Sequence, residues 1–293
     1  MEKHEILAAL FPAQRGIPTL PIIFVEFNRL MATPMVSNRR IADLIMKDQS
    51  MVVKILRLAN SALYGKMQEM NDLSSAITYL GLETLKRLIL QISLVRVFRF
   101  ESQRIPEFDV AVFWEHSIAT AYFADLLATE LRCPPSENYY ISGLLHDIGK
   151  LLIYQYYPAR FERIILTEIE EGIPDTDAES AVLKVDHAEV GAHIAESWKF
   201  NRELALTIEN HHRCAPSRMN TVTAVVSLAN LFAKMAGLCF PWEERPTDIK
   251  NSKAWQYLSE KQPGMLDADR LALHLMESVE SVRGTVATLM FKN

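Results

Sequence analysis

The pair His146-Asp147 lies inside the run HDIGK, with His116 upstream and His187, His211 and His212 downstream. Adjacent imidazole and carboxylate donors can share a metal ion. With no cysteine near them, they favour a borderline divalent ion such as Fe, Mn, Zn or Ni over a soft thiolate site. If enough ligands converge, a two-ion cluster can form. Such ions lower the pKa of a bound water and neutralise phosphoryl oxygens. A plainer reading stands beside this one. A lone His in an apolar helix is more often a hydrogen-bonded structural residue, and His211-His212 also suit a solvated helix end. Asp147 is harder to place without a partner, because an interior carboxylate needs one. His193 reads as a surface or outer residue, and His4 and His274 have no matching context.

The elements that must carry these groups read as helices. In SGLLHDIGKLLIYQYY, Leu144, Leu145, Ile148, Leu151, Leu152 and Tyr156 recur at three- and four-residue intervals, the pattern of one helical face. FWEHSIATAYFADLLATEL presents His116 among small residues that allow close packing. HAEVGAHIAESW carries His187 and Gly191, and ALTIENHH is expected to end before Pro216. Nearer the N-terminus, Ser37 or Asn38 can cap a helix through IADLIMK, and Asp48 the next, through VVKILRLANSA. Val52, Ile55, Leu56 and Ala59 form the apolar face of that second helix, with Lys54 and Arg57 off it. Asn60 reads as a structural residue bonding across a turn. Gly81 is expected to separate two helices, with Glu83 in the first turn of the second.

His116, HDIGK from His146 to Lys150, HAEVG from His187 to Gly191 and the pair His211-His212 resemble, in order and spacing, the motifs of the HD phosphohydrolase superfamily, in particular its HD-GYP cyclic-di-nucleotide phosphodiesterase branch. That resemblance implies metal ligands at His116, His146, Asp147, His187, His211 and His212, with Asn230 at the position of a final metal-binding Asp. It implies Lys150 as a phosphate contact, and Asp147 and Lys150 as the catalytic pair. Three departures accompany it. Asn230 is a neutral amide, RCAPSRMN stands where the enzymes carry an acidic residue and Gly-Tyr-Pro, and Ala188 replaces a Pro.

A second resemblance covers the first third of the chain. Leu20-Pro21, KILRLANSALYG and AITYLG are similar to the opening of an HDOD domain, an HD-related output domain of bacterial signalling proteins, and together the two resemblances span roughly residues 15 to 235. They imply a signal-transduction output or scaffold protein without efficient catalysis that still holds one or two divalent ions. The alternative is a metal-dependent phosphohydrolase or cyclic-di-nucleotide phosphodiesterase. The implied partners are signalling proteins and a small phosphorylated or nucleotide ligand.

At 293 residues the chain can bury a substantial core in two subdomains. The expected fold class is all-α: an N-terminal helical bundle over 1–108 packed on an HD-like helical subdomain over 109–293, divided near ESQRIPEFD. The polar stretch from Phe240 to Gly264 is expected to be anchored by Trp242 and Trp255, followed by one amphipathic helix from Asp267 to Met290. A net charge of -5 argues against binding driven by nucleic-acid phosphates, and Lys86, Arg87, Arg96, Arg99 and Arg104 spread over more than one helical face. LKRLILQISLVRVFRF is broken by Lys86, Arg87, Gln91, Arg96 and Arg99 well short of a membrane span, and no basic-then-apolar leader precedes it. Cys133, Cys214 and Cys239 are odd in number and lack paired spacing, which suits a reducing, cytoplasmic setting. No pattern in the sequence defines an oligomeric state.

Overall fold

The computed structural model describes residues 3–11, 18–34, 36–65, 69–100, 105–213, 217, 219–243 and 248–290. Arg104, Cys214 and Pro216 lie outside them. Among the described residues every regular element is a helix, as the periodicity predicts. No described helix is long and apolar enough to cross a membrane.

The chain divides into two compact units. One comprises Pro18–Arg99 and Ser278–Asn293. It contains α2 (Ile22–Met31), α3 (Asn38–Ile45), α4 (Gln49–Ala59), α5 (Leu73–Val97) and α16 (Val279–Met290). Ser37 caps α3 by accepting from the Arg40 N–H at 3.4 Å, and Asp48 caps α4 by accepting from Met51 at 3.1 Å. Gly81 interrupts α5 with φ 73 and ψ 166, a conformation that side chains with a Cβ resist, so the expected helix boundary is a kink inside one long element. Asn60 clips two backbone segments together: its amide donates to Leu56 O (2.9 Å) and Met70 O (2.8 Å), and its oxygen accepts from Met70 N (2.8 Å).

Lys54 departs from the sequence reading. It is buried rather than off the core face, because its ammonium donates to Leu289 O at 2.8 Å. Arg99 donates to Met290 O at 3.0 Å. The last carbonyls of α16 have no intrahelical donors, and these two cations supply them while matching the negative end of the helix dipole.

The other unit comprises Met1–Ile17 and Phe100–Glu277. After α1 (Lys3–Leu10) it contains α6 (Val110–Glu130), α7 (Asn138–Leu145), α8 (Ile148–Tyr156), α9 (Pro158–Glu171), α10 (Asp175–Leu183), α11 (His187–Ser197), α12 (Arg202–Asn210), α13 (Thr221–Met235), α14 (Lys253–Lys261) and α15 (Ala268–Met276). The most extensive packing joins α6 with α7 and α13, and α11 with α8 and α12. Two glycines set how close these helices come. A Cβ on Gly143 would lie 2.7 Å from the Ala121 Cα, and one on Gly149 would lie 2.0 Å from the His187 carbonyl oxygen. The glycine of HDIGK is therefore a packing residue that lets α8 touch the first turn of α11.

One unit takes residues from before Pro18 and from Phe100 to Glu277, and the other from Pro18 to Arg99 and from Ser278 onward. The single helix expected from Asp267 to Met290 is two: Asp267 caps α15 by accepting from Asp269 and Arg270 (both 3.1 Å), and α16 begins anew at Val279 in the other unit.

Candidate metal centre

The helix read through HDIGK is also two helices. α7 stops at Leu145, α8 starts at Ile148, and His146-Asp147 forms the joint, with Asp147 at φ -100 and ψ 6 in the sparsely populated bridge region. The break turns both side chains inward; the pair is fully buried. His116 comes from the middle of α6, and His211-His212 follow the last turn of α12. His187 is the first residue of α11, whose start is fixed by a capping box: Asp186 accepts from Glu189 N at 2.9 Å, and Glu189 accepts from Asp186 N at 3.1 Å. Arg213 pairs with Asp186 and with Glu189 (2.9 Å), tying the double-histidine turn to that helix start.

Asp147 is the hub. Its Oδ1 lies 3.0 Å from His187 Nε2 and 3.4 Å from both His146 Nε2 and His211 Nε2. Its Oδ2 lies 3.7 Å from His116 Nε2. His116 and His146 meet at 3.2 Å, and His212 and His187 at 3.0 Å, each through Nε2. The structure thus forms two ligand groups that share Asp147. One is Asp147, His187, His211 and His212, and the other is His116, His146 and Asp147; within each the ligand atoms lie within 4.8 Å of one another.

These groups suit a divalent ion on two counts. Four rings are oriented from behind: Nδ1 of His116, His146 and His211 faces the carbonyls of Leu238 (2.8 Å), Gly143 (2.7 Å) and Ile208 (2.6 Å), and that of His187 faces Glu179 (2.8 Å). A proton on each Nδ1 leaves the Nε2 lone pair for the centre, the arrangement that orients metal-binding imidazoles. The spacing fits as well. Two ligands at roughly 2.1 Å from one ion, at angles between right and tetrahedral, sit roughly 3.0–3.4 Å apart, the range in which most of these pairs fall.

Electrostatics divide the site. Burial, against the pull of Asp147, holds His116 and His146 below their ordinary range. Burial also opposes charge on His187, but Glu179 and Asp147 outweigh it and hold that ring well above its ordinary value. Burial likewise works against the Asp147 carboxylate, yet His146, Lys150 and His187 keep it well below the usual range.

Lys150 is buried, and its ammonium donates to Glu243 at 2.7 Å while pairing with Asp175 at 2.8 Å and Asp147 at 3.1 Å. Desolvation disfavours its charge, but the three carboxylates hold it well above the ordinary lysine value. Asn230 lies on α13 between Ser227, which donates to His211 O at 2.8 Å, and Lys234, 3.9 Å from Glu243. Positions 227, 230 and 234 share a helical face, and the Asn230 Oδ1 is buried with no hydrogen-bond partner among the described residues. His193 is half-buried, His4 and His274 are exposed, and none of the three joins a ligand group.

Sequence reasoning missed Asp175, Glu179, Glu243 and Lys234. Asp175 and Glu179 are four residues apart on α10, and that spacing in DTDAESAVL equally describes a solvated acidic face. Only the fold shows that they point at Lys150 and His187. Trp242 stacks on Phe240 with centroids 4.8 Å apart, and Trp255 is buried, so both anchor the polar stretch.

Helices that gather imidazoles around one shared carboxylate define an HD-type architecture. The chain belongs to the HDOD family: the HDOD domain model matches residues 17–214. An HDOD domain protein of unknown function from Geobacter sulfurreducens superposes with a TM-score of 0.83 at 26% identity, covering 99% of this chain and 100% of that one. A structure from Shewanella amazonensis SB2B, provisionally named a phosphohydrolase, gives a TM-score of 0.73 at 25% identity over 96% of this chain and 98% of that one. An uncharacterised protein of Treponema pallidum (strain Nichols) is 29% identical over 237 residues, which is 80% of this chain and 45% of that protein. The chain thus spans less than half the length of that curated relative.

Proposed function

We propose that this chain is a bacterial signal-transduction output module that binds divalent metal, and whose metal centre organises a regulatory fold more than it turns over substrate. The observation that carries this reading is the state of Lys150. The ligand set around Asp147 is assembled and oriented, but the lysine that the family resemblance casts as a phosphate contact is surrounded by Asp147, Asp175 and Glu243. A buried ammonium already matched by three carboxylates has little charge left to offer a phosphoryl group. Asn230 at the position of a carboxylate ligand points the same way, since an amide oxygen coordinates more weakly and cannot serve as a base.

His116, His146 and Asp147 would hold one ion, and Asp147, His187, His211 and His212 a second, drawn from Fe, Mn, Zn or Ni. When bound, such ions supply Lewis-acid polarisation and an acidified water. The chain's own residues hold the rings in the ligating tautomer, exclude solvent and balance the charge of Asp147. Partners in this reading are other signalling proteins, together with a small phosphorylated or nucleotide ligand. Cys133 and Cys239 form no disulfide among the described residues, which suits a cytoplasmic setting.

The test is elemental mass spectrometry on anaerobically purified protein, with the double variant His146→Ala/Asp147→Ala as control. Near-stoichiometric metal that disappears in the control is expected. Absence of metal from folded wild type that also takes up none on titration overturns the reading. A second reading, metal-dependent phosphodiester hydrolysis, is favoured by the six ligands that remain. Metal-dependent turnover of a cyclic dinucleotide, lost in the same control, would establish it.

A further inference from the structure

The segment after α13 turns at Gly237 (φ 67) and continues through Leu238 to Glu243, bringing its end against Lys150. Leu238 supplies the carbonyl that holds His116 at 2.8 Å. Phe240 stacks on Phe108 with centroids 5.0 Å apart and planes 28° from parallel, and Trp242 stacks on Phe240 at 4.8 Å and 14°. A single 3-10 turn, Pro241–Glu243, then delivers the Glu243 carboxylate to a position 2.7 Å from Lys150 Nζ and 3.9 Å from Lys234 Nζ. Two lysines from different helices, α8 and α13, thus face one oxygen of a side chain only 4% exposed.

The three carboxylates on Lys150 differ in how they are mounted. Asp147 precedes the first residue of α8, and Asp175 is the first residue of α10. Glu243 comes instead from a single 3-10 turn, held by the aromatic stack and by a long hydrogen bond from Phe240 N to its other oxygen, at 3.4 Å. The space left beside it, lined by Lys150, Glu168, Asp175, Phe240, Trp242 and Glu243, measures about 20 Å³. That admits roughly one water molecule and excludes a phosphoryl group.

We propose that residues 238–243 form an internal strap that closes the site, with the Glu243 carboxylate holding an anion position between Lys150 and Lys234 until a ligand bearing a phosphoryl group displaces it. This deepens the metal-centre reading and rests on it for the purpose of the site. Because Leu238 orients His116, displacement of the strap and retention of metal are coupled, and the coupling runs both ways.

The probe is inorganic phosphate, titrated calorimetrically into the full chain. Glu243→Gln should bind phosphate at least roughly tenfold more tightly than wild type, the size expected when a competing charge-assisted contact is removed. Adding Lys150→Met to that variant should abolish the gain. Equal affinity in wild type and Glu243→Gln, or a gain that survives Lys150→Met, overturns the strap. Should Glu243→Gln fail to fold, Trp242 emission in the wild type, assigned with Trp242→Phe, gives the same answer. A saturable change on adding phosphate that Lys150→Met removes supports displacement, and emission unmoved by phosphate overturns it. Metal content of the same preparations separates the two readings. Metal retained without the phosphate gain refutes the strap alone, and the gain without metal refutes the metal centre alone.

Discussion

One oxygen of Glu179 accepts two hydrogen bonds from His187, one from its backbone N–H at 2.7 Å and one from its ring Nδ1 at 2.8 Å. The same atom therefore holds both the backbone and the ring of the first residue of α11, beside the capping box that starts the helix. The other anchored rings lean on backbone carbonyls, so His187 is the one whose orientation depends on a replaceable side chain.

Glu179→Gln keeps the size of that group and removes its charge. Metal affinity should fall by about 10- to 100-fold, the usual cost of losing a partner behind a ligating imidazole. Competition titration against a chelator of known affinity measures it, and an unchanged affinity would show that His187 does not bind the ion.

Asn230→Asp should act in the opposite direction. The amide oxygen is buried without a partner among the described residues on the helix face that runs from Ser227 to Lys234. An anionic oxygen there should slow metal loss by roughly tenfold, since carboxylates are stronger ligands for borderline ions. Metal half-life during dialysis against chelator is the readout, and equal half-lives would place Asn230 outside the ligand set.

Glu168 provides a pH dependence independent of the metal ligands. Burial and then the neighbouring Asp175 push its carboxyl up to about 8 from an ordinary 4.5. Between those values the folded chain holds a proton that the unfolded chain has released, so this group makes stability fall as pH rises through the window. The full cost above about pH 8 is on the order of 3–5 kcal/mol at 1.36 kcal/mol per unit. Glu168→Gln should flatten the decline and be the more stable protein at alkaline pH. Denaturant midpoints at several pH values test it, and parallel profiles would refute it.

Gly149→Ala and Gly284→Ala should diverge. At Gly149 the added carbon meets backbone on α11 at 2.0 Å, whereas at Gly284, on the exposed side of α16, nothing lies within 4 Å. The first should cost about 3 kcal/mol or more and weaken metal binding by moving His187 away from Asp147. The second should add up to about 1 kcal/mol, because Ala loses less entropy than Gly in a helix. Thermal denaturation compares the pair.

What the sequence revealed of the site depended on motif. His116, His146, Asp147, His187 and His211-His212 are legible through their resemblance, in order and spacing, to the HD motifs, and the structure brings the histidines to Asp147. The residues behind them are not legible in this way. Glu179, Asp175 and Glu243 are ordinary acidic residues on short helices and a polar stretch, and their role exists only once α10 and the strap pack against α8 and α11. The fold class followed from apolar periodicity, but periodicity cannot see a break that keeps its phase. The apolar face of SGLLHDIGKLL continues through the joint between α7 and α8, so the joint stayed hidden. Lys54 shows the same limit: its charge reads as exposure until a distant helix end supplies the oxygen that makes burial tolerable.

The position of α16 orders events during synthesis. Residues 18–99 leave the ribosome well before the carbonyls that satisfy Lys54 and Arg99, which belong to Leu289 and Met290. That unit gains these two contacts only after residues 100–288 have been translated; at roughly 5–20 residues per second the interval is about ten seconds or more. The second unit takes no element from beyond Glu277, so all of its helices are synthesised before α16 supplies the first unit's last one.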